Sequence, residues 1–465
     1  MKLIYNLDDK PKFGQLIVFA FQQVLAILAA TIAVPAIIGH GMSQSAALFG
    51  AGVGTLIYQL FTRFKSPVFL GSSFAFIGSM SAAFAGAVAM GNEKLGYLGL
   101  IIGAIFAGLV YVVIAIIVKL VGVNWVEKVM PAVVIGPTVA IIGLSLAGNA
   151  VGDMLKGGLQ NADGGTVCSP YVALVCALVT LFVVVLCSHY GKKMAKLIPF
   201  IIGILAGYAV ALIFTVIGDA IGVDALKVIN FGAFKALFAD GVTFGTFVSM
   251  PDFTFVAAMD GMKGFDWAYL GTIAAAYIPV AFVVFAEHIA DHKNLSTIIE
   301  KNLLEEPGLS RTLLGDGVGS MAGALFGGCP NTTYGESVGC VAITRNASII
   351  TIMTAAIMTI LMSFVSPFVA FLSTIPNCVM GGVCMTLYGF IAVSGLKMVQ
   401  TVDLEQNKNV FVVSVILIAG IGGLKLVFGG VTITSIACAL ILGILVNVVL
   451  NLKKEAPESV DTDNE

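Results

Sequence analysis

Residues 274–292 read AAAYIPVAFVVFAEHIADH. The run from Ala274 to Ala286 is apolar or small throughout, and a bilayer core takes about 20 such residues per helix. The run then meets Glu287, His288 and Asp291. An ionised carboxylate at the bilayer centre costs at least ~3 kcal/mol on insertion scales, so acids placed there are usually functional. The alternative for Glu287 is a cap or salt bridge at a helix end, which the apolar approach disfavours. Asp291 lies four residues on and shares a helix face with Glu287. His292 is rotated away from that face and is expected at the membrane interface.

The rest of the chain matches this stretch. Of its 465 residues, 58% are hydrophobic and 11% charged, with a mean hydropathy of +1.02. Soluble domains carry about 25% charged residues because water must wet their surface. Here the solvent for most of the surface is lipid. A net charge of −2 argues against a nucleic-acid partner. Of the eight cysteines, Cys176, Cys187, Cys340, Cys384 and Cys438 sit in apolar runs, and no CxxC pair occurs. They read as small apolar filler, with neither metal nor cofactor expected. The polar start, MKLIYNLDDKPKF, runs into apolar sequence without a small-residue cleavage site and reads as a retained cytoplasmic end.

Apolar runs of spanning length give fourteen expected segments: 14–38, 45–62, 68–90, 97–119, 129–149, 170–188, 197–218, 267–290, 311–327, 330–344, 347–365, 373–396, 409–425 and 430–451. With the N-terminus inside, 18 of the 24 basic residues fall in cytoplasmic loops and ends. The other six are Lys94, Lys156, Lys227, Lys235, Lys263 and Lys425. The positive-inside rule therefore favours both termini in the cytoplasm. The expected order is a cytoplasmic N-terminus (1–13), a first seven-span unit (14–218), an extracytoplasmic connection (219–266), a second unit (267–451) and a cytoplasmic tail (452–465). The acidic end of that tail, Glu455 to Glu465, is expected to be solvated and without fixed structure.

The two halves resemble each other. A shift of 265 places Phe21-Gln22-Gln23-Val24 on Ala286-Glu287-His288-Ile289, and Gly52-Val53-Gly54-Thr55 on Gly317-Val318-Gly319-Ser320. A shift of 260 lays Ser72-Ser73-Phe74 on Thr332-Thr333-Tyr334, and one of 245 lays Pro131 and Gly136 on Pro376 and Gly381. Shared small-residue helix packing is the rival explanation. A repeat of seven spans is odd, so the second unit is inverted. In such transporters the site lies near the midplane, where broken helices meet.

Spans three and ten are the weak ones. Phe69-Leu70-Gly71-Ser72-Ser73-Phe74 and Cys329 to Gly335 are rich in Gly, hydroxyl and β-branched residues. Unwound backbone at membrane depth survives only where protein buries it or it lines a wet cavity. Its free N–H and C=O groups can then bind ligand, and the following half-helix presents its positive end. Glu336 would sit there, opposite Glu287. Two carboxylates and backbone donors suit a small, neutral, planar ligand with several N–H and C=O groups. An organic anion would be repelled, and a carboxyl in a low-dielectric site can carry a proton.

These stretches resemble the nucleobase–cation symporter-2 family, the nucleobase–ascorbate transporters, and among them the bacterial uracil permeases. The resemblance runs along nearly the whole chain. It is sharpest at Gly71-Ser72-Ser73-Phe74-Ala75-Phe76, Phe285-Ala286-Glu287-His288, Pro307-Gly308-Leu309 and Pro330-Asn331-Thr332-Thr333-Tyr334-Gly335-Glu336. The family signature appears as Glu336-Ser337-Val338-Gly339 running to Thr344-Arg345. The resemblance implies an all-α polytopic fold of fourteen transmembrane segments in two inverted seven-span repeats, with short unwound strands in spans three and ten. It also implies a core domain (about 14–119 and 267–365) and a gate domain (about 129–218 and 373–451). Glu287 and Glu336 would bind the pyrimidine, with Phe74 and Gly335 contributing backbone groups and Tyr334 and Ser73 beside them. Asp291, Glu287 and His288 are the expected proton-linked residues.

Three positions depart from the family pattern. Gln23 stands where a His is common, Ser337 replaces the signature Asn, and Asp291 occupies the place of a His in uracil permeases. The expected function is uracil import by proton symport. The expected partners are uracil or a related nucleobase, protons and the lipid bilayer, together with a second copy in a homodimer formed through the gate domain. A xanthine or urate permease is the near alternative, and an anion exchanger or channel the distant one. A membrane enzyme finds no nucleophile–base constellation to support it.

Overall fold

The computed structural model describes residues 3–122, 131–159, 161, 165–192, 194–239, 241–428 and 431–452. Lys2, Lys128, Lys193, Lys453, Lys454, the first residues of the segment expected at 129–149 and the acidic end Glu455–Glu465 lie outside the described residues.

The first half holds α1 (Phe13–Ile38), α2 (Gln44–Phe61), β1 (Leu70–Ser72), α3 (Ile77–Ala89), α4 (Leu95–Val121), α5 (Ala132–Ser145), α6 (Ala147–Met154), α7 (Pro170–Tyr190) and α8 (Pro199–Ile221). The second holds α9 (Trp267–Ile299), α10 (Leu309–Gly327), β2 (Asn331–Thr333), α11 (Gly335–Thr344), α12 (Ile349–Met362), α13 (Asn377–Val399), α14 (Asn407–Ile421), β3 (Leu426–Phe428), β4 (Val431–Ile433) and α15 (Ser435–Asn451). Each of the fourteen expected ranges contains a helix. Among the described residues seven are long and apolar enough to cross a membrane: α1, α4, α5 with α6, α7, α8, α9 and α13.

Three boundaries differ from expectation. The segment expected to end at 290 continues to Ile299. Its polar residues look like a loop in sequence, yet Leu295 and Ile299 are buried in a cluster with Leu7, Tyr58 and Val338. The segments expected at 409–425 and 430–451 are separated by the antiparallel hairpin β3–β4, so α14 ends early and α15 begins late. The connection 219–266 carries short helical segments, of which Thr254–Gly261 is tied to the start of α4 by Lys94–Asp260 at 2.8 Å.

Both weak stretches are strands, and they pair with each other. β1 and β2 run antiparallel, with Leu70 opposite Thr333, Gly71 opposite Thr332 and Ser72 opposite Asn331. The helices sort into two packing groups around this crossing. In one, α2 and α4 pack on α10, α9 on α4, and α12 on α1 and α2. In the other, α13 packs on α5, α6 and α7, α7 on α8, and α14 on α5 and α15.

Small residues allow the tightest of these contacts. Hydrophobicity does not drive apolar helices together in lipid, so close packing and hydrogen bonds must hold them. At the α2–α10 crossing a Cβ on Gly50 would sit 2.5 Å from the carbonyl oxygen of Gly323. Asn331 wedges in beside them, its amide donating to Gly50 O at 3.0 Å. The matched segments Gly52–Thr55 and Gly317–Ser320 meet across this interface, with Gly54 against Gly319. Gly50→Val forces the two backbones apart, and overpacking of this kind typically costs about 1–3 kcal/mol. A lower melting temperature of the detergent-purified variant is the expected readout.

Candidate functional site

The strand crossing is held from several directions. Ser73 N–H donates to Pro330 O (2.9 Å) and Tyr334 N–H to Phe69 O (3.2 Å), extending the ladder at both ends. Thr55 Oγ1 on α2 accepts from Leu70 N at 2.9 Å. Ser337 Oγ on α11 accepts from Phe69 N at 2.9 Å and from the Gln23 side-chain amide on α1. Tyr334 lays its ring over Gly71, where a Cβ would sit 2.4 Å from a ring carbon, and its hydroxyl donates to Ser72 O at 2.7 Å. The backbone around the strands thus finds partners within the protein, as depth in a bilayer demands. Two of the three departures from the family pattern, Gln23 and Ser337, are bonded to each other.

Beyond the crossing the chain turns helical on both sides. Phe74–Phe76 form a 3₁₀ turn leading into α3, and Gly335 opens α11 with Glu336 in its first turn. Both helix starts border one cavity of ≈360 Å³. From the first packing group it is lined by Phe74, Ala75, Glu287, Ala290, Asp291, Thr332, Thr333, Tyr334, Gly335 and Glu336. From the second come Val139, Ile142, Phe200, Leu387, Phe390, Ile391, Ser394 and Met398. One wall is polar and acidic; the other is apolar except for Ser394.

Glu287 and Asp291, one turn apart on α9, both face the cavity. Asp291 Oδ2 accepts from Thr333 Oγ1 at 2.8 Å, which ties α9 to β2. Among the described residues no cation pairs with Glu287, Asp291 or Glu336, nor do His, Cys, Asp and Glu gather into a metal-binding group. The wall offers carboxylate acceptors beside the amide ends of two helices. It can hold a neutral ligand that both donates and accepts hydrogen bonds.

The cavity unites Glu287, Glu336, Asp291, Phe74, Tyr334 and Gly335. Ser73 and His288 lie outside it. Ser73 is buried with its hydroxyl unpartnered. His288 points away from the acids: its Nδ1 donates to Asp316 Oδ2 on α10 at 2.7 Å, and its Nε2 lies 3.0 Å from Thr312 Oγ1. His292 is buried inside the protein. It stacks on His288 with ring centroids 4.1 Å apart, donates from Nδ1 to His288 O at 2.8 Å, and brings Nε2 within 2.7 Å of Tyr58 Oη. The extension of α9 to Ile299 keeps His292 within the helix, where it meets Tyr58 of α2.

Asp316 is the residue that sequence reasoning missed. It is completely buried, with Oδ1 unpartnered. The signal was available: an acid inside an apolar, glycine-rich run carries the same implication as Glu287. The apolar wall from α5, α8 and α13 carried no such signal, because its residues are ordinary in a membrane helix.

Similarity to known proteins extends along the whole chain. Residues 14–428 match the Permease family of xanthine and uracil permeases. The uracil permease of Bacillus caldolyticus is 38% identical over 100% of this chain and 98% of its own length. That of Bacillus subtilis (strain 168) is 34% identical with the same coverage. Among solved structures, the transmembrane domain of the cyanobacterial bicarbonate transporter BicA shares the fold, with a TM-score of 0.60 at 16% identity over 96% of this chain and 99% of that one.

The Ser337 hydroxyl is the most economical point at which to test the crossing. Ser337→Ala strands two buried donors, the Phe69 N–H and the Gln23 amide. An unsatisfied buried group costs about 1–3 kcal/mol, so the variant is expected to melt at a lower temperature. Ser337→Thr, which keeps the oxygen, is expected to recover much of that loss.

Proposed function

The chain belongs to the Permease family of nucleobase–cation symporter-2 transporters, and on that premise we propose that it imports uracil by proton symport through alternating access. The observation that carries the proposal is the three-acid wall of the cavity at the strand crossing. Carboxylates of Glu287 and Glu336 accept from the two ring N–H groups of a pyrimidine, and backbone N–H groups near Phe74 and Gly335 donate to its carbonyls. The apolar residues of α13 and α5 lie against the flat ring. An organic anion would meet three acids with no cation to offset them, which disfavours the anion-exchange reading despite the shared fold.

The sorting of helices into two packing groups supports a core domain that carries the acids and a gate domain that supplies the apolar wall. Relative movement of the two groups would expose the cavity to one side of the membrane and then the other. Glu287 and Asp291, one helical turn apart, are the proton-linked pair. His288, bonded to Asp316, acts behind them by fixing the orientation of α9 against α10. Fourteen crossings in two inverted sevens, both termini in the cytoplasm of a bacterial inner membrane, and a homodimer through the gate domain complete the proposal.

Counterflow and gradient-driven uptake of labelled uracil in proteoliposomes test it. Glu287→Gln and Glu336→Gln are each expected to weaken uracil binding at least about tenfold, since a hydrogen bond to a charged group contributes ~1.5–3 kcal/mol. Unchanged affinity in either variant would remove that residue from the site. Asp291→Asn is expected to retain counterflow while losing its response to an imposed proton gradient. Gradient-driven uptake equal to the parent's would take Asp291 out of the coupling.

A further inference from the structure

A second cavity, of ≈660 Å³, lies on the other side of the site. Its lining includes Met90, Asn149, Tyr269 and Ser435, at or near the ends of α3, α6, α9 and α15. The first cavity reaches the opposite ends of the helices, to Phe200 at the start of α8 and Met398 at the end of α13. On α9 the second cavity is lined up to Thr272 and the first from Glu287 onward. Thr272 and Glu287 stand fifteen positions apart on the helix, about 22 Å at 1.5 Å per residue. The two chambers therefore approach the middle of the molecule from opposite faces.

Three residues line both chambers: Phe74, Ala75 and Ile142. Phe74 follows β1 in the first packing group; Ile142 belongs to α5 in the second. Phe74 also meets Tyr388 of α13 edge to face, with ring centroids 6.0 Å apart at 77°. The Tyr388 backbone lies against Gly143, the neighbour of Ile142, so α5 and α13 present these two side chains together. The contact joins the two packing groups where the chambers share their lining.

We propose that Phe74, Ile142 and Tyr388 form the barrier that closes the acidic cavity from the second chamber, and that this chamber is the extracytoplasmic vestibule through which the substrate arrives. The barrier is apolar apart from the Tyr388 hydroxyl, and among the described residues no hydrogen bond joins Phe74 to Ile142 or Tyr388. Sliding α5 and α13 past Phe74 breaks only van der Waals contacts, whereas the acids and the strand crossing move as one piece with Phe74. The proposal rests on the alternating-access reading above, but its test requires neither uracil nor a proton gradient. A wrong substrate or a wrong coupling ion leaves the test intact.

The test is labelling by a membrane-impermeant thiol reagent in right-side-out and inverted vesicles, scored against the parent chain with its eight native cysteines. Asn149→Cys in the second chamber is expected to react in right-side-out vesicles. Ser394→Cys in the first chamber is expected to react only in inverted ones. Adding Ile142→Ala to Ser394→Cys opens the barrier, and labelling from the right-side-out face is expected to rise severalfold. Tyr388→Ala provides a second opening should the Ile142 variant fold poorly. The proposal is overturned if Ser394→Cys reacts equally from both faces with the barrier intact. It is also overturned if neither opening changes its reactivity in folded protein.

Discussion

Two short strands cross at the heart of this protein, and unpaired backbone is not tolerated at that depth in lipid. Their N–H and C=O groups must be met by protein. β1 and β2 meet one another, Thr55 and Ser337 take up the N–H groups of Leu70 and Phe69, and Tyr334 caps the Ser72 carbonyl. These partners come from α2 and α11 and from the strand end itself, with Gln23 of α1 behind Ser337. The same need brings α2 and α10 together at glycine distance, so that Asn331 can reach the α2 backbone. The first packing group is organised around keeping this crossing satisfied.

The crossing also determines what kind of site can exist. Breaking two spans in the membrane creates two helix starts, and both border one cavity. Glu336 is placed at one of them by covalent sequence. Glu287 and Asp291 arrive from α9, whose register is set by the Thr333–Asp291 bond on one side and by His288–Asp316 on the other. A single helix thus turns two carboxylates toward the cavity and, one residue later, two stacked imidazoles toward Tyr58 of α2 and Asp316 of α10. The second packing group contributes shape and apolarity to the cavity, with Ser394 as its one polar side chain there.

Much of this was legible in the chain. Membrane residence followed from composition. The unwound stretches announced themselves by Gly and hydroxyl residues where apolar ones belong, and Glu287, Asp291 and Glu336 stood out as acids in apolar surroundings. Asp316 carried the same signal within α10 and was passed over because the glycines around it read as packing. The end of α9 reads too early in sequence because a polar stretch after an apolar run looks like a loop. Only the burial of Leu295 and Ile299 beside Leu7 and Tyr58 keeps that stretch helical and His292 inside.

Sequence by itself determined the membrane fold, the places where helices break and the acids poised beside those breaks. Each of these is a local exception to an apolar rule, and an exception is visible one residue at a time. Tertiary structure decided that the strands pair with each other, that Gln23 answers Ser337, that His288 turns from the cavity to Asp316, and that Phe74 and Ile142 line both cavities. Those outcomes depend on which apolar surface meets which. In a chain where nearly every helix is apolar all round, hydrophobicity cannot choose the partner; close packing and the pairing of buried polar groups do.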